Sequence, residues 1–392
     1  HSARPPRYNP RKVSAAMPSA PIAPHPDESA EALATLTLSA LRGLSQSQAL
    51  ALVAHYGTAT AALADTSPTH SQWAALRADT AALHQAQARA EAEMDFCQQH
   101  HIQVIPTTSA NYPTRLLEPK VTDRPLQLFY CGTGTLNRRH ILSVVGPRHI
   151  TEYGKQMCES LLRDLALLVP DVLIISGLAY GVDINAHRAA LESHLPTAAV
   201  LAHGLDRIYP RLHRDTASQM THNGGLITEY FTGTSPDRGR FIQRNRIVAG
   251  LSSATLVVES AHHGGSLVTA RIARSYGRPV MAVPGRTTDP ASEGCNRLIA
   301  DHQAELVTSA SDIVRLLKWQ PAPAPAEPQL FTSYKPLEQL VVDALGTADS
   351  LSSDQISYQT GLAPAALTDV LFDLEDLNAI KRLPGNRFRL KN

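Results

Sequence analysis

Six short apolar runs that alternate with helical patterns restrict the possible folds of this chain more than any other feature. They are rich in β-branched residues and lie at Ile141–Val145, Val172–Ile175, Ala198–Leu201, Gly225–Thr228, Thr255–Val258 and Val280–Val283. Strands that are apolar along their whole length are buried on both faces, and the helices between them cover those faces. The pattern from Gln103 to about Leu317 therefore predicts an α/β, Rossmann-like domain with a parallel-rich sheet.

The loops after these runs predict a ligand site. The carboxyl ends of parallel strands meet at one edge of the sheet, where open α/β folds bind ligands. Gly146-Pro-Arg148 leads into a helix that begins near Thr151, so a phosphate there could meet backbone amides, the positive helix end and Arg148. Ser176-Gly177 follows the second run, and a glycine permits close approach to its backbone. Alternatively, these glycines serve only tight turns.

A run of nine residues, Arg238-Gly-Arg-Phe-Ile-Gln-Arg-Asn-Arg246, carries four arginines and one phenylalanine. Arginine forks bind phosphate oxygens, and an exposed ring offers a face on which a base can stack. The run predicts a surface for single-stranded nucleic acid. The alternative is a solvated basic loop with Phe241 turned into the core.

Composition shifts divide the chain into five predicted segments. Residues 1–28 form a proline-rich tail or expression remnant, with Met17 as a candidate natural start. Residues 29–101 form a small helical domain, SAM-like or helix-hairpin-helix-like. The Rossmann-like domain covers 102–318, a Pro/Ala linker covers 319–332, and a winged helix covers 333–392.

Both flanking domains carry acidic surfaces that suit protein contacts better than DNA. The helical domain has more acidic than basic residues, although Gly43-Leu-Ser45 leaves a DNA-binding hairpin open. The expected reading helix of the winged helix, Pro364–Leu377, carries four carboxylates without a lysine or arginine. A phosphate-lined groove would repel it.

Composition argues against a strongly basic protein, a disulfide or metal framework and a membrane helix. The net charge of +1 means that any nucleic-acid surface is a local patch. The four cysteines lack metal or disulfide spacing, no apolar run has the length of a membrane helix, and we expect a cytoplasmic protein.

Two histidine arrangements invite a catalytic or metal site. Asp183 and His187 lie four residues apart, on one helical face, but helix capping and local packing explain them better than acid-base chemistry. His262-His263 have no third ligand at metal spacing and are expected to be loop residues. We therefore predict no metal, no cofactor and no catalytic residues.

The motifs of the central region, in their order and spacing, resemble the DprA (DNA-processing protein A, also called Smf) family. They are Tyr112–Leu116, Val145–Arg148, Ser176–Asp183 with Ala186-His187, Gly204–Asp206 with Tyr209-Pro210, Phe241–Ser252, Val258-Glu259 with Gly265–Ala270, Ala282–Gly285 and Gly294–Ile299. Pro147 and Ile242 depart from the pattern, and Ile242, in place of a proline, is expected to loosen the loop after Phe241.

The resemblance implies a non-catalytic protein that binds single-stranded DNA during natural transformation, protects it and loads RecA onto it. It also implies a homodimer formed through the central domain. The strand contacts it implies fall on Arg148, Arg238, Phe241, Arg244, Asn245 and Arg246. With the glycine turns, the arginine run and the Gly265–Ala270 motif, the predicted DNA-binding set also includes Gly146, Ser176, Gly177, Arg240, Ser266 and Thr269.

Two other functions stay open from the residues. A Rossmann-type enzyme acting on a nucleotide could use Asp183, Glu229 and Glu259 as acid or base. It would lack a nucleophile-base pair, a Walker lysine and a complete dinucleotide fingerprint. A winged-helix transcription regulator is disfavoured by the acidic reading helix.

Overall fold

The computed structural model describes residues 26–66, 71–322, 334–377 and 379–391. It separates into two compact units, and the boundary between them along the sequence falls after residue 322. Most of the predicted tail and most of the predicted linker lie outside the described residues. The five-segment division stays a prediction, and within the first unit the N-terminal helices pack together with the sheet.

Five helices open the first unit. They are α1 (Pro26–Ala40), α2 (Gln46–Tyr56), α3 (Ala59–Ala64), α4 (Ser71–Ala78) and α5 (Thr80–Gln99). The first begins inside the segment that we predicted as tail. Ser45 caps α2 by accepting from the Gln48 amide, so the Gly43-Leu-Ser45 turn ends in a capping box.

A nine-stranded sheet forms the centre of this unit. Its strands are β1 (Gln103–Pro106), β2 (Gln127–Thr133), β3 (Ile141–Val145), β4 (Leu173–Ser176), β5 (Thr197–Val200), β6 (Gly224–Thr228), β7 (Ala254–Val257), β8 (Val280–Ala282) and β9 (Glu305–Leu306). Their order is β1-β2-β6-β5-β4-β3-β7-β8-β9. Strands β3 to β9 pair in parallel, while β1 and β2 are antiparallel. The predicted α/β, parallel-rich fold is confirmed.

Seven further helices of the described first unit alternate with strands β3 to β9 along the chain. They are α6 (Glu152–Leu168), α7 (Val182–Glu192), α8 (Arg214–Met220), α9 (Arg238–Leu251), α10 (Gly265–Ser275), α11 (Glu293–Ala300) and α12 (Ala310–Leu317). Along β3, Ile141 and Val145 pack on the face that holds α9 and α10, whereas Leu142 and Val144 pack on the face that holds α6 and α7. Alternation along a strand therefore fills two separate cores.

The direction of the chain along the sheet reverses between β3 and β7. From β3 it proceeds through β4, β5 and β6, and then α9 returns it to β7 on the other side of β3. Ligands of open α/β sheets bind outside the carboxyl ends of the strands at such a point. The start of α9 and the loop after β3 meet there.

The second unit is a winged helix. It contains α13 (Pro336–Leu345), β10 (Leu351–Ser352), α14 (Ser353–Thr360), α15 (Pro364–Asp376), β11 (Ile380–Leu383) and β12 (Arg387–Leu390), around one apolar core. This confirms the predicted helices and hairpin and adds β10, which pairs with β12. On α15, Asp373 forms an ion pair with Lys335 at 2.9 Å.

Acid lability is expected from His187, which lies in the core of the first unit. Burial lowers the pKa of His187 to about 3, and burial also lowers the pKa values of His203 and His213. A histidine that is neutral when folded but protonates when unfolded destabilises the fold as pH falls from about 6.5 toward 3. Between pH 6.5 and 4.5, the free energy of unfolding measured with urea should fall by about 2–3 kcal/mol less in His187→Asn than in wild type. Equal losses in both proteins would contradict this assignment.

Candidate nucleic-acid interface

The arginine run forms the first turns of α9 and not a loop. Asp237 caps the helix by accepting from the Arg240 amide at 2.9 Å, and the helix continues to Leu251. Ile242 has the backbone N–H that a proline would lack, so the helix passes through this position. The expectation of a loosened loop after Phe241 was wrong.

Helical geometry divides the run between two directions. At about 100° per residue, Arg238, Phe241 and Arg244 lie within about 60° of Phe241 on the helix surface. Arg246, five positions after Phe241, lies about 140° away. The helix therefore directs Arg246 away from Arg238, Phe241 and Arg244.

Phe241 lies close to two guanidinium groups. The Arg148 Cζ atom is 5.0 Å from the centre of the Phe241 ring, and the Arg244 Cζ atom is 5.9 Å from it. The Tyr209 ring lies 6.0 Å away, tilted by 54°. Phe241 is half-buried and Arg148 is exposed. We call these four residues the Arg148–Phe241 cluster; they unite the loop after β3, the loop after β5 and the start of α9.

Arg244 is the buried member of this cluster. It is only 4% exposed, and its Nη1 donates to the Val200 carbonyl at 2.7 Å. Burial lowers the pKa of Arg244, and the charge of Asp183 opposes that shift. A Cβ atom at Gly177 would lie 1.7 Å from Arg244 Nη1. The bare backbone of Gly177 thus permits close approach, as predicted, but the group that approaches is Arg244.

The other two residues of the glycine turns also serve packing. Ser176 is fully buried and donates to the Val144 carbonyl at 2.6 Å. A Cβ atom at Gly146 would lie 2.2 Å from the Val182 side chain. Gly146 therefore allows the loop that carries Arg148 to lie against the start of α7.

A carboxylate of the protein itself occupies the start of α6. Glu259, which is 1% exposed, accepts from the Thr151 amide at 3.0 Å and from the Thr151 hydroxyl. The Thr151 hydroxyl in turn accepts from the Gly154 amide at 3.1 Å. The expectation that a phosphate meets these amides was wrong, because Glu259 already accepts from the Thr151 amide and the Thr151 hydroxyl from the Gly154 amide.

Arg246 and Glu229 form a buried ion pair. Arg246 Nη2 and Glu229 Oε2 are 2.7 Å apart, and both side chains are less than 10% exposed. The same nitrogen lies 3.4 Å from Gln46 on α2. The structure therefore joins Arg246 to the N-terminal helices and keeps it out of the Arg148–Phe241 cluster.

The remaining polar candidates of α9 differ in availability. Arg238 is exposed, and its side chain makes no hydrogen bond or ion pair within the described part of the chain. Arg240 pairs with its helix cap, Asp237, and donates to the Ser235 carbonyl at 2.8 Å. Asn245 is half-buried. Arg238 is thus free to meet a phosphate, whereas Arg240 would first leave its own partners.

Ser266 and Thr269 lie on α10, and their hydroxyls are bound within the protein. Ser266 hydrogen-bonds the Ser260 hydroxyl at 3.0 Å, and Thr269 donates to the Gly265 carbonyl at 3.3 Å. Both side chains are buried. The structure does not bring them to the Arg148–Phe241 cluster.

The carboxylates proposed for an enzyme hold structural positions. Asp183 accepts from the Ala179 amide at 3.3 Å, and His187 hydrogen-bonds Thr197 at 2.7 Å instead of Asp183. Glu229 and Glu259 bind Arg246 and Thr151, as described above. The Thr151 hydroxyl that donates to Glu259 also caps α6, so this hydroxyl–carboxylate contact serves the start of the helix.

The two adjacent histidines lie in a loop, and their rings are 4.4 Å apart. His262 contacts Glu293 at 3.0 Å. Across residues 26–66, 71–322, 334–377 and 379–391, no three potential ligands gather as a metal site would require. The same ranges contain no helix that is both long and apolar enough to cross a membrane.

Sequence reasoning missed Tyr209 as part of the cluster. It noted the Tyr209-Pro210 pair only as a motif and assigned it no role. An aromatic residue in a loop that follows a buried strand was the available signal, since such loops share the ligand edge of the sheet. The contact with Phe241 required the fold to bring two loops together.

Comparison with known proteins finds relatives over most of the chain. The chain is 41% identical over 256 residues to a putative DNA processing protein DprA from Mycobacterium tuberculosis; the match covers 64% of this chain and 65% of that protein. It is 35% identical over 314 residues to protein Smf of Escherichia coli, covering 77% of this chain and 81% of the relative. The solved DNA processing protein A of Streptococcus pneumoniae superimposes with a TM-score of 0.60 at 29% identity, covering 73% of this chain and 97% of that one.

Sequence models of two protein families match the chain in succession. The DprA winged helix domain matches residues 320–386. The DNA recombination-mediator protein A family matches residues 103–318, which contain the whole sheet and the Arg148–Phe241 cluster. On this match and the 35% identity to protein Smf, the chain belongs to the DNA recombination-mediator protein A family.

Proposed function

We propose that this protein binds single-stranded DNA at the Arg148–Phe241 cluster and mediates recombination without catalysing a reaction. One observation carries the proposal: the exposed guanidinium of Arg148 lies 5.0 Å from the half-buried Phe241 ring, where the direction of the chain along the sheet reverses. A ring next to a cation can stack a base while the cation binds the adjacent phosphate. A duplex keeps its bases paired and offers no such face.

The predicted contacts divide by the groups that they can offer. Arg148, Arg238 and Phe241 can meet the strand directly, and Asn245 lies near them on the helix surface. Arg244 and Gly177 position the ring, and Gly146 and Ser176 shape the loops. Arg240 can contribute once it leaves Asp237. We assign Arg246 to the Glu229 ion pair, and Ser266 and Thr269 to α10.

As a family member, the protein is proposed to protect incoming DNA during natural transformation and to pass it to RecA. A homodimer formed through the central unit would double the number of phosphate contacts. The flanking helices and the acidic α15 are proposed to bind proteins. All four cysteines are free thiols, which fits a reducing compartment such as the cytoplasm.

The proposal is tested by a salt titration of binding to a short single strand and to its duplex. Wild type should prefer the single strand, and log K should fall linearly with log salt. Arg148→Ala and Arg238→Ala should each reduce the slope by about 0.7, because each removes one phosphate contact of a single strand. The exposed Arg271→Ala, on α10, serves as the matched control. Unchanged slopes in both variants would refute the phosphate assignment.

The same binding reactions test the alternative that the protein is an enzyme. A released product from an added nucleotide would favour a Rossmann-type enzyme and redirect attention to the glycine turns. Binding without turnover, lost in the double variant Arg148→Ala/Arg238→Ala, would support the mediator and lead to a RecA-loading assay.

A further inference from the structure

Two exposed tyrosines lie at the same edge of the sheet as Phe241. Tyr209, in the loop after β5, is 44% exposed, and Tyr180, in the loop after β4, is 46% exposed. Strands β4 and β5 are neighbours, so the two loops are adjacent. The edge therefore presents aromatic side chains from successive loops, beginning with the Phe241–Tyr209 contact.

A buried histidine joins the Tyr180 loop to the segment after Tyr209. His213 hydrogen-bonds the Leu178 carbonyl through Nδ1 at 2.8 Å, and its ring lies 5.0 Å from the Tyr180 ring. His213 ends a 3₁₀ turn that begins at Arg211, directly after Pro210. The chain between Tyr209 and His213 thus connects the two tyrosines.

Cationic side chains accompany this second ring. Arg188, Arg211 and Arg214 are exposed, and among the described residues their side chains form no ion pair or hydrogen bond. Arg188 lies close enough to His213 for its charge to add to burial in lowering the pKa of His213. The acidic neighbours are Asp215, which is exposed, and Asp206, which pairs with Arg207 at 2.8 Å. Glu192, four residues after Arg188 on α7, is exposed as well. Three arginines against the two exposed carboxylates of Asp215 and Glu192 leave this surface positive.

We infer that a bound single strand continues from Phe241 over Tyr209 to Tyr180, where Arg188, Arg211 and Arg214 bind its phosphates. We call this path the DNA track. The inference rests on the proposed function, because it extends the same strand. Aromatic rings alternating with unpaired cations along one edge are what sequence-independent binding of a single strand requires.

The track is tested with two oligothymidylates, one of about 6 and one of about 20 nucleotides, which bracket the common site sizes of single-strand binders. Phe241→Ala should weaken binding of both. Tyr180→Ala should weaken binding of the longer strand alone, by about 5- to 150-fold, since each stacked base contributes on that scale. Tyr180→Phe keeps the ring and should bind as wild type does.

The arginines give an independent measurement. Arg211→Ala/Arg214→Ala should reduce the salt slope for the longer strand by about 1.4, twice the contribution of one single-strand phosphate contact. Tyr358→Ala, which changes a tyrosine that is 90% exposed in the winged helix, and Arg271→Ala are the matched controls. Thermal melting of each variant confirms that the fold is intact.

The outcomes separate the two proposals. If wild type binds neither oligonucleotide, the proposed function itself fails. If Phe241→Ala weakens binding but the Tyr180 and arginine variants bind the longer strand as wild type does, only the continuation is overturned. Equal weakening of both lengths by Tyr180→Ala would place that ring in the first subsite and would also overturn the continuation.

Discussion

Replacing Arg246 by alanine is expected to lower the free energy of unfolding by about 3–5 kcal/mol. The change leaves the Glu229 carboxylate, which is only 8% exposed, without the guanidinium at 2.7 Å that neutralises it. A buried charge that loses its partner costs more than the pair itself contributed. The full chain is unfolded with urea and followed by circular dichroism, and the transition of the first unit gives the loss of free energy.

Two variants control this prediction. Arg238→Ala removes an exposed arginine of the same helix and should change stability by less than about 0.5 kcal/mol. Arg246→Met/Glu229→Leu removes both charges and should recover much of the loss, because no unpaired ion remains. If Arg246→Ala weakened DNA binding at unchanged stability, Arg246 would be a strand contact, as the family resemblance implies.

Replacing Phe241 by alanine is expected to weaken single-strand binding by about 1–3 kcal/mol without lowering stability to the same extent as Arg246→Ala. The ring is the stacking face of the cluster, and Arg148 and Arg244 lie 5.0 and 5.9 Å from its centre. Its loss removes the base contact and also the surface over which both guanidinium groups are held. Fluorescence anisotropy with a labelled oligonucleotide at fixed salt measures the change.

The chain offers a matched control for the ring. Phe372, on α15 of the winged helix, is 63% exposed, and Phe372→Ala should bind the single strand as wild type does. Phe241→Tyr keeps an aromatic face and should retain most of the affinity. Equal affinity of wild type and Phe241→Ala would remove base stacking from the proposed mechanism.

The central sheet was predictable because its strands are buried on both faces. Ile141–Val145 was predicted with the bounds that the structure gives it, and the other five runs lie within one or two residues of β4 to β8. Strands β1, β2 and β9 were missed. β1 has four residues and ends at Pro106, and β9 has two exposed residues, so neither carries an apolar run long enough to be distinguished from a loop.

The candidate site was predicted in chemistry but only partly in geometry. Arginines beside an aromatic residue indicated a strand-binding surface, and both Arg148 and Phe241 lie in it. The predicted anion site at the start of α6 was wrong because Glu259 is 108 positions away in sequence, and only the pairing of β3 with β7 brings it to Thr151. Likewise, nothing local distinguishes Arg246, which meets Glu229, from Arg244, which passes over Gly177.

By itself the sequence determined the alternation of six central strands with helices, the winged helix, and the types of side chain available for a nucleic acid, because burial patterns and residue chemistry are local properties. The tertiary structure alone decided which arginines stay free. Guanidinium groups on one helix differ in function only through what surrounds them: Arg238 is exposed, Arg244 is buried beside the Phe241 ring, and Arg246 is neutralised by Glu229 in the interior. Those surroundings come from strands and loops distant in the chain, whose proximity is set by the packing of the whole sheet.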